Sequence, residues 1–323
     1  MVKIDLKDRK ILYHLDLNCR KSNTQIGKKV GLKKDVVSYR IKRLQEEGVI
    51  NYFWTDINTF KLGYNVLRIY INFQYIYSDI KNEIIDFFIK CKDAWVIVSI
   101  KGDIDFDVIL WIKDMFEFYK FWDEALDKFE DYFARSVVSV YVQCVEYKKS
   151  FLLPVPDGKS NRELYKLTCG GESVEIDEID YKILNEIARN ARMPLVDLAK
   201  KLNCSSQSVN YRIKNLIKKG IIAGFRVDID FPKMGLHSYK LDIYLKEHKK
   251  RKEIIRYLEK KPSFVCLNVA VGWCDIECEF ILENLDELSN IMSEINSKFP
   301  GAIKKQAFWV TEKVHKDRSL PEI

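Results

Sequence analysis

Two short runs of polar and basic side chains carry the chemistry most legible in this sequence. The first is Lys33, Lys34, Asp35, Ser38, Tyr39, Lys42 and Arg43; the second is Ser205, Ser206, Gln207, Asn210, Tyr211 and Lys214. Lysine and arginine neutralise phosphates and reach guanine, while glutamine and asparagine pair bidentately with adenine. Each set alternates with apolar residues at i, i+4 and i+7, namely Val37, Ile41, Leu44 and Val209, Ile213, Leu216. Burying the apolar stripe turns the polar set outward. One basic helix face alone leaves a merely solvated surface open, but two in matching contexts point to double-stranded DNA. Arg40 and Arg212 stay open between a DNA contact and ion pairs that hold the fold.

Other chemistry has little support. The four histidines, His14, His237, His248 and His315, show no mutual spacing. The eight cysteines form no CxxC pair, and Cys274 and Cys278, four apart, read as half-buried strand cysteines rather than a zinc site. No metal, cofactor or catalytic residue is therefore assigned. Scattered thiols, a charged N-terminus and the lack of a long apolar run favour a cytoplasmic protein without a membrane partner.

The elements that must position the two faces read as three short helices each. Residues 5–18 place Ile11, Leu12 and Leu15 on one side after a capping Asp5. A second helix follows Ser22, Gly31 makes the turn, and the third helix ends at Gly48. Asp177, Pro194, Ser205 and Gly220 punctuate the second set in the same way. Lys33 stands where Ser205 caps, so the first copy's third helix is expected to be shorter or to fray. Three short helices with a sharp turn before the third make a helix-turn-helix, whose third helix enters the major groove.

The repetition runs through the whole chain. A shift of 172 places Ile4, Asp5, Asp8, Ile11 and Leu12 on Ile176, Asp177, Asp180, Ile183 and Leu184. The same shift superposes YRIK at 39–42 on YRIK at 211–214 and continues without a gap to Gly63 and Gly235. Charge follows the repeat: residues 1–50 carry +7 and residues 176–222 carry +4, so the remainder of this +7 chain is acidic. Two basic islands on acidic bodies suit a polyanion.

Beyond each basic unit the period changes from 3.6 to 2. Leu67, Ile69, Ile71 and Phe73 alternate with polar neighbours, as do Leu241, Ile243 and Leu245. A helix, two strands around KGDIDFDVILWI or VGWCDIECEFIL, another helix and a last strand follow. That order, βαββαβ, is the ferredoxin-like plan. The fold class is α+β: two tandem units, each a winged-helix-like helix-turn-helix followed by a ferredoxin-like sandwich. The expected domains are 1–62 and 63–147, then 148–175 as linker, 176–234 and 235–311, with 312–323 as tail.

Asp5-x-x-Asp8-x-x-Ile11-Leu12, Arg20, SYRIKRLQEEGVI (38–50), Gly63, and the Gly-x-x-Asp turns at Gly102–Asp105 and Gly272–Asp275 together resemble the Lrp/AsnC family of feast/famine transcription regulators. The resemblance implies transcription control, dimerisation through the sandwich sheets and often an amino-acid effector near the turns, so Gly102, Asp103, Asp105, Gly272, Trp273 and Asp275 become candidate effector residues. Two fused units imply an intramolecular pseudo-dimer, with the open sheet faces against each other and higher assembly open. Siroheme decarboxylases have a similar architecture. Their resemblance would require a stretch like HxYNLWF in the middle strands, where this chain has VSIKGDIDFDV and NVAVGWCDIEC. A metabolite sensor that no longer touches DNA is the third reading.

Overall fold

The computed structural model describes residues 2–154 and 162–322; residues 155–161 of the expected linker and the two terminal residues lie outside the described residues. The chain begins with α1 (Leu6–Leu17), α2 (Asn23–Val30), α3 (Lys34–Glu46) and β1 (Ile50–Ile57). Asp5 and Asp8 close a reciprocal cap at the start of α1, and Ser22 and Gln25 do the same for α2. Gly48 takes φ +71° after α3, a left-handed conformation that lets Val49 N–H return to the Leu44 carbonyl.

The first sandwich comprises β2 (Asn65–Phe73), α4 (Ser78–Lys90), β3 (Ala94–Gly102), β4 (Phe106–Ile112), α5 (Met115–Phe129) and β5 (Phe133–Tyr147). The strand β6 (Glu163–Thr168) follows. The second copy runs α6 (Glu178–Ala188), α7 (Leu195–Lys201), α8 (Ser206–Lys218) and β7 (Ile222–Ile229), then β8 (His237–Leu245), α9 (Arg251–Leu258), β9 (Phe264–Val271), β10 (Ile276–Leu282), α10 (Leu285–Lys298) and β11 (Ile303–Asp317).

The two sandwich sheets face each other and are also joined at both edges. Strand β5 pairs along its first half with β2 and along its second half with β9 of the other copy. Strand β11 likewise pairs first with β8 and then with β3. Eight strands thus close on themselves in the order β2-β4-β3-β11-β8-β10-β9-β5, with β6 added beside β5. Closure removes the exposed edges that each four-stranded sheet would otherwise present.

Alternation decides which side chains enter the barrel. Leu67, Ile69 and Ile71 of β2 meet Ile84, Phe88 and Phe118 under the helices of the first copy. The intervening Arg68 and Tyr70 point the other way yet are only 2% and 1% exposed. Both faces of the sheet are buried, and the inner one carries charge.

Two sequence expectations need correction. Segment 148–175 is not only a linker: Leu152 is fully buried, and β6 pairs with β5 because the edge of β5 beyond β2 has unpaired backbone to offer. Residues 312–317 are not tail, because β11 extends through them to pair with β3.

Candidate nucleic-acid interface

The helix-turn-helix heads are built into one unit. Strands β1 and β7 form an antiparallel two-stranded ribbon, with Trp54 opposite Arg226 and Thr55 opposite Phe225. Cys19 N–H donates to the Phe225 carbonyl at 2.8 Å, and its repeat equivalent Ala191 N–H donates to the Phe53 carbonyl at 2.9 Å. Ile11, Leu15, Val37 and Leu44 share a buried cluster with Ile183, Ile187, Val209 and Leu216. Both third helices are therefore held by a common core.

On α3, Val37, Ile41 and Leu44 are buried, whereas Lys33, Lys34, Asp35, Ser38, Tyr39 and Lys42 are exposed. On α8, Val209, Ile213 and Leu216 are buried; Ser205, Gln207, Tyr211 and Lys214 are exposed, with Ser206 and Asn210 partly so. Tyr39 and Tyr211 are each 67% exposed, so the two helices present the same face to solvent. The reading positions differ in chemistry: Lys34, Asp35 and Ser38 in one helix, Ser206, Gln207 and Asn210 in the other.

Three arginines of these helices are committed to the fold. Arg40 Nη1 lies 2.7 Å from Asp5 and 2.8 Å from the fully buried Asp8; Arg212 repeats this with Asp177 and Asp180 at 2.7 and 2.8 Å. Arg43, assigned from the sequence to the outward set, turns its Nη2 onto Asp8 at 2.5 Å. Its equivalent in the second copy is Asn215, so only the first copy has this extra pair. The Asp180 backbone bond and the Arg212 guanidinium hold the Asp177 carboxyl below its ordinary range.

The expected shortening of α3 does not occur. Lys33 makes no side-chain cap while Ser205 accepts from Ser208 N–H, yet α3 and α8 both span 13 residues. The buried stripe and the Arg40 and Arg43 ion pairs outweigh one missing cap, which is worth about 1 kcal/mol.

The heads are tied to the barrel by charge. Arg226, only 2% exposed, donates to both oxygens of buried Asp16 at 2.7 and 2.9 Å, and to Glu146 of β5 and the Tyr165 hydroxyl of β6 at 2.9 and 3.1 Å. Burial opposes ionisation of Asp16, but Arg226 and Lys149 hold its carboxyl below the usual value. Between ribbon and barrel lies a cavity of about 410 Å³, walled by Trp54, Asp56, Trp95, Tyr141, Tyr165 and Trp309 among others. Burial pushes the Asp56 carboxyl up to about 6. Asp16, Glu146, Tyr165 and Arg226 lie far apart in the sequence and had no local signal there.

The Gly-x-x-Asp turns hold the copies together. A Cβ on Gly102 would stand 2.3 Å from the Phe308 carbonyl oxygen of β11, and one on Gly272 would stand 2.9 Å from that of Val138 in β5. The Asp105 carboxylate accepts from Phe73 N–H at 2.9 Å, and that of Asp275 accepts from Leu245 N–H at 2.8 Å. Asp103 pairs with Lys305 at 2.9 Å. Trp273 stacks on Tyr70 of the other copy, ring centroids 3.9 Å apart, and donates its indole N–H to Asp242 at 2.9 Å. The six turn residues thus all have structural tasks between or within the copies. The histidines stand on separate elements, where His315 Nε2 meets Ser99 Oγ at 2.8 Å and His248 meets Asp275 at 3.4 Å.

Comparison with known proteins agrees with this geometry. A winged helix-turn-helix DNA-binding domain matches twice, at residues 4–51 and 176–223. The HTH-type transcriptional regulator LrpA of Bacillus subtilis is 31% identical over 125 residues, 37% of this chain and 90% of that protein. Ptr1 of Methanocaldococcus jannaschii, also an HTH-type transcriptional regulator, is 32% identical over 120 residues, 37% of this chain and 80% of that protein. The solved structure of the siroheme decarboxylase NirDL covers 98% of this chain and 94% of its own with a TM-score of 0.64 at 12% identity, a likeness of fold. The two heads are winged helix-turn-helix DNA-binding domains. The chain belongs to the Lrp/AsnC family of HTH-type transcriptional regulators, present here as a tandem duplication.

Proposed function

We propose that this protein regulates transcription by binding double-stranded DNA as a covalent pseudo-dimer that reads two unlike half-sites. The observation that carries the reading is the pair α3 and α8: two third helices of equal length, fixed by one core, with the same face exposed and different residues on it. In such domains the third helix lies in the major groove, and a symmetric dimer selects a palindrome. Here Lys33, Lys34 and Lys42 supply charge on one side, and Gln207 and Asn210 supply adenine-pairing amides on the other. A fused pair fixes one copy of each helix in every molecule.

The test is binding of the full chain to its own upstream region and to random DNA across a salt series, followed by selection of sites from random sequence. Tight, preferential binding that weakens steeply with salt, with unequal half-sites among the winners, supports the reading. Weak binding equal on both DNAs overturns it, and palindromic winners overturn the unlike half-sites. Adding a panel of amino acids to the same assay tests for the effector that the family resemblance implies.

The siroheme-decarboxylase reading shares the fold. The strand segments 98–108 and 268–278, where the resemblance would require a histidine, contain none. Tetrapyrrole turnover by the purified protein would favour that reading over the first.

A further inference from the structure

Cys144 and Cys266 lie 122 residues apart in sequence, on the strands where the two copies join. Their sulfurs are 4.0 Å apart. In the β5–β9 register Cys144 is opposite Asn268, and Glu146 is opposite Cys266. These four side chains alternate on one strand face and form a rectangle, with the two thiols at diagonal corners. The Cys144, Glu146 and Cys266 donor atoms all lie within 4.8 Å of one another. All four residues line the cavity between heads and barrel.

We propose that Cys144, Cys266 and Glu146 form a binding site for a thiophilic divalent cation of the zinc class, open to the cavity at its fourth position. Three arguments support it. Diagonal neighbours on paired strands have Cβ atoms about 7 Å apart, too far for a disulfide, which needs about 4 Å. Two zinc–sulfur bonds of about 2.3 Å at a tetrahedral angle put the sulfurs about 3.8 Å apart, close to the spacing present. The carboxylate is also held in place. Arg226 donates to Glu146 Oε2 at 2.9 Å and so fixes the carboxylate. Asn268, at the remaining corner, has its Oδ1 3.6 Å from the Cys266 sulfur.

The Cys144 contact and burial keep the Cys266 thiol well above its ordinary pKa. Cation binding reverses that preference: two S–H bonds break, two metal–sulfur bonds form, and two protons leave to solvent. No oxidant is involved. The site went unread in the sequence because neither cysteine has a second ligand at a spacing typical of zinc sites.

The experiment titrates the reduced, metal-free full chain with Co²⁺. The expected result is one equivalent bound, with an intense sulfur-to-cobalt charge-transfer absorption that Zn²⁺ displaces. Cys144→Ser and Cys266→Ser should each lose that absorption, and Cys204→Ser should keep it. Glu146→Gln, which keeps both thiols and the side-chain volume, should retain the absorption at lower affinity, and a native circular dichroism spectrum and melting transition for each serine variant exclude misfolding as the cause of its loss. Absence of the absorption in the native protein overturns the proposal, as does its persistence in both serine variants. DNA plays no part in this assay, so its failure leaves the proposed function untouched.

Discussion

Arg68 of the first copy and Glu277 of the second meet inside the barrel, Nη1 to Oε1 at 2.5 Å, each about 2% exposed. The same guanidinium donates twice to Asp107, at 2.7 and 2.6 Å, and also meets the Tyr141 hydroxyl. Burial disfavours the arginine's charge, but Asp107 and its other neighbours more than compensate and hold it protonated. Replacing Arg68 with Ala strands two carboxylates in the interior. Breaking a buried pair in this way costs about 3–5 kcal/mol. Urea unfolding should show that loss for Arg68→Ala. A loss below about 1 kcal/mol would mean that water reaches the barrel interior.

Asp242 gives the barrel a pH dependence. Its Oδ2 accepts from the Trp273 and Trp309 indoles at 2.9 and 3.3 Å, while Oδ1 has no partner among the described residues. Burial, then the Glu277 charge, pushes this carboxyl up to about 7 from an ordinary 3.8. A raised acid pKa means that the folded chain keeps a proton the unfolded chain has already released. The stabilisation is complete below pH 3.8, declines as pH rises from 3.8 to about 7, and is absent above. Asp242→Asn keeps an acceptor for the indoles without titrating. It should therefore gain stability relative to the native chain on going from acid to neutral pH, by about 2–4 kcal/mol. Unfolding curves for both proteins across that range check the sign, and a constant difference between them would refute it.

The recognition helices separate affinity from specificity. Lys33 and Lys34 are exposed at the start of α3 and unlike Ser205 and Ser206 of α8. Lys34→Ala should weaken binding to all sequences alike and lower the salt slope by about one unit. Gln207→Ala and Asn210→Ala should each cost about 1–3 kcal/mol on the selected site and relax the preference in one half-site only. Arg212→Ala should act differently, lowering the unfolding midpoint of the head without changing which bases are preferred, because its guanidinium is held by Asp177 and Asp180. Binding isotherms on both half-sites, with melting curves alongside, distinguish the three patterns.

Local order in this chain was legible because it depends on neighbours in sequence. Val37, Ile41 and Leu44 mark a helix face at i, i+4, i+7, and Asp5, Ser22, Gly48 and Gly220 mark helix ends. Strand alternation likewise separates Leu67, Ile69 and Ile71 from Arg68 and Tyr70. Alternation does not say what lies across the sheet. The exchange of β5 and β11 between copies depends on backbone pairing over more than a hundred residues. The Asp16–Arg226 and Arg68–Glu277 pairs depend in turn on that exchange. Glu163–Thr168 was missed because six residues of mixed polarity beside prolines and glycines carry no period of their own.

Gly102 tests the exchange directly. It has φ +142° and stands opposite Trp309 in the β3–β11 pairing. A methyl group there would sit 2.3 Å from the Phe308 carbonyl oxygen and 2.7 Å from the Trp309 Cα, both backbone atoms that cannot rotate away. Gly272 is placed the same way against β5, but its nearest contact is 2.9 Å, and Gly301 has φ +79° with nothing within 4 Å. All three have positive φ, +142°, +97° and +79°, so each loss includes backbone strain, and close strand approach adds to it at Gly102 and Gly272 only. Gly102→Ala should cost about 2–4 kcal/mol, Gly272→Ala less, and Gly301→Ala only the conformational cost of about 1 kcal/mol. If the ranking holds, β11 lies on β3 as tightly as described, and Gly102→Ala should also speed amide exchange along both strands. Equal losses at the three positions would mean that the seam between the copies yields, and the two sandwiches would then behave as separate sheets rather than one closed barrel.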